Sequence, residues 1–480
     1  MIGGGLAGLS SAVALADAGW RVCLVEKRPH LGGRATSYTL PDGTKVDNCQ
    51  HVTMGCCTNL ADFYRRVGAE NKIRYYDRLY FADAQGRIST IEASPLPPPL
   101  HMAPSFLLFS SLTPADKHAI AEAMLAIARS GGAPPDIDGI SMLGWLHRMR
   151  QTPSAIARFW RVVLVSALDE ELDRTGAKYG IDVFWKAFLG SKSGYRVGIP
   201  SVHLADLYEG CHDAIAHRSG EVRLRSGVRS INVERDAFVS ADLDDGAQVR
   251  ADACVIAVPH DVVGALLPNE VRSSAELRGL GHIRTSPITG VHLWFDGPVM
   301  SEPFLTLLDH TTQWIFNKSL LSANPETNGA APRPISETYP VFSGGQYLQL
   351  VISASYDLVP RSRQEILDVC MRELAEVLPA TREVRLLKAT VIKEVNATFS
   401  PEPGVDQWRP SQQSSIRNLF FAGDWTRTGW PATMEGAVRS GYLAAESLLT
   451  GFGQPRNFLR ADLPFEGFCK FWAERHTLNS

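Results

Sequence analysis

The chain has 480 residues, 45% of them apolar, and a formal net charge of −3. That length supports up to three domains around a large core, and the mixed, nearly neutral charge gives no electrostatic ground for binding nucleic acid. The eight cysteines form no C-x-x-C pair and no ligand spacing with histidine, so they read as reduced, packed thiols of a cytosolic protein and no metal site is expected. There is no basic-then-apolar signal segment and no apolar run of about 18 residues that would span a membrane.

In chain order, the first feature is MIGGGLAGLS, in which Gly3, Gly5 and Gly8 have G-x-G-x-x-G spacing. Such a loop normally follows a buried strand of about 5–6 residues, and here Met1 and Ile2 stand in that place. Leu9, Ala12, Val13 and Ala16 then recur at helical spacing up to Gly19, and RVCLVE reads as a strand ending in Glu26. Together these are the parts of a dinucleotide fingerprint. Small residues let backbone approach a pyrophosphate at a helix N-terminus, and the carboxylate accepts hydrogen bonds from a ribose, which argues against a 2′-phosphate. HLGGRATS adds a second turn, Gly32 and Gly33 followed by Arg34, whose fork suits a phosphate or else lies in solvent. The fingerprint alone leaves NAD and FAD open.

Farther on, PLPPPLHMAPSFLLFSSL (95–112) joins a proline run to Phe106, Leu107, Leu108 and Phe109 and reads either as a membrane-facing patch or as core. The stretch TPADKHAIAEAMLAIARSGG predicts a helix from Thr113 to Gly131, and SMLGWLHRM and SAIARFWRVVLVSALDEEL are also helical in spacing. GEVRLRSGVRSINVE, CVIAVP, PITGVHLWFDGPV and QYLQLVISAS read as strands, and 321–334 as a surface loop. Near the end, LFFAGD predicts a buried strand closing in Gly423 and Asp424, then a helix between 429 and 448 with Pro431 close to its start and small residues along one side.

The two ends, GGGLAGLSSAVALADAGWRVCLVEKRPHLGGRATS and NLFFAGDWTRTGWPATMEGAVRSGYLAAE, resemble the flavin amine oxidase and phytoene desaturase superfamily. The resemblance implies FAD as cofactor and an α/β fold: a discontinuous Rossmann-like FAD-binding domain (1–81, 200–265 and 395–452) with an inserted α+β substrate domain (82–199 and 266–394) and a C-terminal tail (453–480). It places Asp424 on the ribityl and pyrophosphate part of FAD, the backbone around Val228 at adenine, and Thr433 and Met434 at the flavin, where a helix N-terminus suits negative charge on the reduced ring. Members of the superfamily carry several more strand residues before the glycine loop. The corresponding expectation is a short N-terminal extension completing the first strand, which a source-derived peptide beginning at Met1 or Ile2 would refute.

Within the superfamily, DNCQHVTMGCCTNL, VGIPSVHLADLY, HLWFDGPV, WIFNK and ATFSPEPGVDQWRPSQQSSIRNLFFAGDWT are similar to the hydroxysqualene dehydroxylases, with Cys49 where glycine is usual. This implies replacement of the allylic hydroxyl of hydroxysqualene by hydride, giving squalene for hopanoid or sterol synthesis. It further implies a C30 isoprenoid substrate, neighbouring squalene-pathway synthases as partners, and a cytoplasmic location with peripheral contact to the inner face of the membrane. His51 is the first candidate to donate the proton or orient the hydroxyl, the alternative being a packed or flavin-positioning histidine. Trp430 is the second catalytic candidate. Trp314 and Phe316 read as cavity or core aromatics, and Lys318 invites comparison with the lysine that amine oxidases hold near the flavin. The rival readings are an oxidative desaturase of phytoene or dehydrosqualene, an amine oxidase, and a non-catalytic FAD-binding scaffold.

Overall fold

The computed structural model describes all residues except 273, 275, 323–343 and 478–480. The loop expected at 321–334 therefore lies almost wholly outside the described residues.

A parallel sheet is assembled from segments far apart in the chain, in the order Glu221–Arg223, Cys23–Val25, Ile2, Cys254–Ile256, Leu419–Phe421. Ile2 is its centre, bridging Val25 on one side and Ile256 on the other. The ladder continues through backbone bonds from Ile2 N–H to the Val255 carbonyl and from Val25 N–H to the Met1 carbonyl, each 2.9 Å. Leu24, Val255, Ile256, Leu419, Phe420 and Phe421 are all buried, the run of large apolar residues that a strand covered on both faces requires. The helix Leu6–Asp17 and the helix Met434–Gly451 cross on this sheet. At the crossing a Cβ on Gly441 would overlap Ser10 and the Ala7 carbonyl, so the small residue is what lets the two helices touch.

The second body is a seven-stranded sheet, in the order Leu386–Phe399, Thr285–Phe295, Gln346–Ile352, Trp314–Asn317, Phe304–Leu307, Arg78–Ala82, Ile88–Glu92, antiparallel except where Phe304–Leu307 meets Arg78–Ala82. Its strands alternate. Leu293, Leu305, Ile315, Leu348 and Leu350 pack with Ile366, Cys370 and Leu374 of the helix Arg363–Val377, while Phe81, Phe316 and Val351 point to the opposite face. That face looks toward a group of helices. One is Pro114–Ser130, with a Thr113–Asp116 capping box at its start and Gly131 left-handed at its end, as its sequence predicts. Two others widen into π-helical turns, at Ile156–Trp160, where periodicity alone predicts plain α-helix, and at Phe184–Leu189.

Candidate functional site

The glycine loop leaves the central strand at Gly3, whose φ of +103° excludes a side chain and where a Cβ would meet the Ala257 carbonyl at 2.6 Å. At Gly8 a Cβ would run into the Gly3 carbonyl. Gly5 differs: the nearest atom to a Cβ there is the Gly33 Cα at 3.8 Å, so the space over it is open. It is also the N-cap of the helix Leu6–Asp17, and no side chain bonds the first-turn N–H groups, which leaves them for an anion.

Glu26 ends the next strand. Its carboxylate accepts the Gly4 and Arg28 N–H groups, each at 2.7 Å, and this fixes it beside the loop. The 225–228 turn is drawn alongside by Ser226 N–H bonding to the Glu26 carbonyl (2.9 Å), which brings Val228 to the same edge. Gly32 and Gly33 are both left-handed, and Gly32 N–H bonds to the Gly4 carbonyl at 2.8 Å.

Arg34 is half-buried and paired within the protein. Its guanidinium clamps Asp424 at 2.8 and 2.9 Å and gives a further bond to the Ala397 carbonyl at 2.7 Å. It is therefore not a merely solvated turn residue. One nitrogen, Nη2, bonds both carboxylate oxygens, a charge-assisted contact that ties the two ends of the chain together. Gly423, whose N–H bonds to Ser440 at 2.8 Å, leads into Asp424. The C-terminal helix starts later than its sequence suggests, at Met434, with Thr433 as the N-cap accepting the Gly436 N–H at 3.0 Å; Pro431 lies in the turn before it.

Two organising residues escape sequence reading. Arg409 is fully buried and its guanidinium donates to the carbonyls of Asp424 (2.9 Å), Thr426 (2.6 Å) and Trp430 (2.9 Å), as well as to Tyr179 and Asp406. It shapes the whole 424–430 turn. Glu435 is buried too, and its carboxylate takes the N–H groups of Asn59 and Leu60 at the start of the helix Thr58–Arg66. Nothing near Arg409 in the sequence marks it, because its partners come from three separate segments.

The segment 47–52 leads from this region to the large sheet. Asn48 Nδ2 donates to the Arg34 carbonyl at 2.8 Å, and two residues later Gln50 lines an apolar cavity of about 350 Å³. Leu79, Phe81, Trp314, Phe316 and Val351 of the sheet face it, as do Phe159 and Phe184, stacked 5.6 Å apart on the two π turns. Trp314 and Phe316 are thus cavity walls as well as packed aromatics, stacked on each other at 5.6 Å. Among the described lining residues Arg158 is the one charged side chain, and it is paired with Asp309 at 2.9 Å.

Behind Gln50 lies Lys318, buried, bonding Gln50 Oε1 at 2.8 Å and Asp47 Oδ2 at 3.0 Å. Burial alone would raise the Asp47 pKa, but the Lys318 charge, His203 and the Leu204 N–H outweigh it and hold the carboxyl well below its usual range. Lys318 is thereby committed to Asp47 and Gln50. His51 is half-buried, its Nδ1 is shielded and makes no hydrogen bond, and desolvation pushes its pKa down to about 4. The imidazole is then neutral at pH 7, which opposes the proton-donor role and suits the orienting one. Trp430 does not line the cavity. It packs with Cys56 and Ala187, under the cations of Lys186 (5.0 Å) and Arg439 (5.6 Å).

The residues present fit a flavin dinucleotide. Space is open over Gly5, the helix start after it is uncapped, Glu26 is fixed beside the loop, and Asn48 Oδ1 and His51 Nδ1 are buried without a hydrogen-bond partner, close in sequence to the cavity residue Gln50. Residues 6–449 match the family described as flavin containing amine oxidoreductase, and the chain belongs to that family. It is 28% identical over 470 residues to the 15-cis-phytoene desaturase of Solanum lycopersicum (94% of this chain, 77% of the relative). It is also 26% identical over 490 residues to the zeta-carotene desaturase of Zea mays (96% and 85%). Among solved structures, an oxidoreductase from Methanosarcina mazei superposes with a TM-score of 0.70 at 18% identity, over 92% of this chain and 97% of that one. The protein is an FAD-dependent oxidoreductase with an α/β, FAD-binding fold.

Proposed function

We propose that this oxidoreductase acts on a long-chain isoprenoid, in an oxidative desaturation of the carotenoid type. The observation that carries the reading is the cavity wall: apolar and aromatic, its polar groups already engaged. Gln50 is taken by Lys318 and the His51 carbonyl, and Ser166 by Trp314 and the Val162 carbonyl. A hydrocarbon leaves no polar atom unpaired in such a space, whereas an ammonium group would be buried against it without a counter-charge. The names of the two relatives support the same substrate class.

Bound FAD supplies two-electron hydride chemistry. The chain's own residues hold the substrate extended and exclude water. Their aromatic faces at Phe159, Phe184, Trp314 and Phe316 tolerate positive charge developing on the chain. Gly3, Gly5, Gly8, Glu26, Gly33 and the Thr433–Met434 helix start would hold the cofactor, with Arg34 and Arg409 keeping Asp424 and its turn in place.

A second reading, reductive removal of the hydroxyl of hydroxysqualene, is favoured by the motifs at 47–60, 197–208, 292–299, 314–318 and 397–426. It assigns His51 the orientation of the leaving hydroxyl through its unpartnered Nδ1. One anaerobic experiment separates the two. Bleaching of the oxidised flavin by phytoene or dehydrosqualene, with a desaturated product by mass, supports the first; recovery of flavin absorbance from the reduced enzyme as hydroxysqualene becomes squalene supports the second. Bleaching by an amine and by none of these lipids would overturn both.

A further inference from the structure

The apolar cavity opens beside Leu100 and Leu125, which are wall and exposed surface at once. Away from that opening its wall includes Gln50 and, from the large sheet, Phe316 and Val351. The sheet register sets a polar residue among them. Gln349 stands opposite Phe316 on one neighbouring strand and opposite His292 on the other, and two residues before Val351. Its side chain therefore leaves the sheet on the cavity side, while Leu348 and Leu350 leave it toward the helix Arg363–Val377. Lys318 comes directly after the Phe316 strand and bonds the Gln50 side chain at 2.8 Å, which draws Gln50 over the same corner of the sheet.

Gln349 is fully buried, yet neither its Nε2 nor its Oε1 has a hydrogen-bond partner, and the facing His292 Nε2 has none. A buried amide with both ends unpaired is costly to keep and calls for a partner. Gln50 holds a further unfilled capacity. Its Oε1 accepts from Lys318 and its Nε2 donates to the His51 carbonyl at 3.0 Å, but an amide nitrogen carries two protons and this bond uses one. We propose that Gln349, with Gln50 beside it, forms a subsite for a hydroxyl group carried by a long-chain isoprenoid. An alcohol suits the pair, since Gln349 Oε1 accepts its proton and the amide N–H groups donate to its oxygen. A cation would be buried beside the Lys318 charge, and an anion would leave Oε1 unpaired. Gln349 stands behind the wall surface, so the hydroxyl reaches it as the Gln50 side chain gives way, and both amides then close on the same oxygen. The inference deepens the second reading above and rests on it: it names the residues that tell a hydroxylated chain from a hydrocarbon.

The test is a competition for the oxidised, FAD-loaded enzyme, held without reductant so that no hydride is available. The enzyme is equilibrated with equal amounts of squalene and hydroxysqualene in detergent micelles and repurified, and the lipids it carries are measured by mass. The expected result is about tenfold enrichment of hydroxysqualene over its share in the micelles. Gln349→Leu and Gln50→Leu should each bring the enrichment close to one while the squalene bound stays the same or rises, a change of ratio that a merely structural residue would not produce. Retained flavin absorbance shows that a variant is folded, and Gln349→Met serves if leucine costs the enzyme its FAD. Absence of enrichment in the unaltered enzyme overturns the proposal and leaves an ordered water as the partner of Gln349; enrichment that persists in the variants overturns it as well. Turnover of the reduced enzyme separates this from the reading beneath it. Squalene formed without enrichment removes the subsite and keeps the reaction, whereas glutamine-dependent enrichment with no squalene formed keeps the subsite and removes the reaction.

Discussion

Cys49 has a left-handed backbone, φ +57°, and its sulfur rests against Gly290, where an added Cβ would approach Sγ to 2.9 Å. Glycine adopts that conformation freely and cysteine does so under strain, which is the physical reason glycine suits this position. Gly290→Ala should destabilise the fold by about 1–3 kcal/mol through overpacking. In a Cys49→Gly background that cost should shrink, because the atom it collides with is gone. Urea denaturation of the four proteins of this cycle measures the coupling, and strict additivity would show that the two residues do not meet. A second residue-scale effect concerns buried neutral histidines. His101 is fully buried with neither ring nitrogen bonded, and burial followed by the Lys192 charge pushes its pKa down to about 4; His51 is held at about 4 and His292 at about 3 by burial. Each takes up a proton more readily unfolded, near pH 6.5, than folded. Their stabilising contribution is present above pH ~6.5 and declines as pH falls toward 4. His101→Leu should flatten part of that decline and, by removing two unsatisfied polar atoms, raise stability at pH 7 by about 1 kcal/mol. Melting temperatures from pH 7.5 to 4.5 check both, and an unchanged slope would contradict the burial argument.

At the scale of elements, local chemistry was well declared where a residue acts on its own neighbours. The Thr113 cap, the Gly131 stop and the Glu26 strand end depend on spacing of a few residues, and each stands where the sequence puts it. The later start of the Met434–Gly451 helix has a similar cause: Thr433 caps better than Pro431 begins. The π turns were not legible, since a single widened turn is too short an interruption to register in a periodicity read over a window of about 11–18 residues. The helix crossing is the point where element becomes site. Gly441→Ala would favour an isolated helix by about 1 kcal/mol, yet here the methyl meets Ser10 and the Ala7 carbonyl. The expected outcome is net destabilisation with FAD lost during purification, read from the absorbance ratio of flavin to protein. A variant that kept its full flavin content and melted higher would show that the helices can part without cost to the site.

For the whole molecule, the decisive relation is that the cofactor cradle and the apolar cavity are built from different segments, with 47–52 leading from one to the other. Substrate reach should therefore be separable from cofactor binding. Ala121→Phe, at the cavity mouth, should leave FAD content unchanged and lower kcat/KM for a C30 or C40 chain by about tenfold, with less effect on a short prenyl analogue. Equal loss for both lengths would place the entrance elsewhere. The sequence by itself determined the dinucleotide loop, the acid that closes it, most helix and strand identities and the family, because each is written in spacing over a few residues or in a motif read whole. Only the tertiary structure decided that Arg34 grips Asp424, that Arg409 builds the turn behind it, that Lys318 is committed to Asp47 and Gln50, and that Trp314 rather than Trp430 faces the cavity. These depend on which distant segments share a volume from which water is excluded, and the pairing of distant segments, unlike periodicity, has no signature along a single chain.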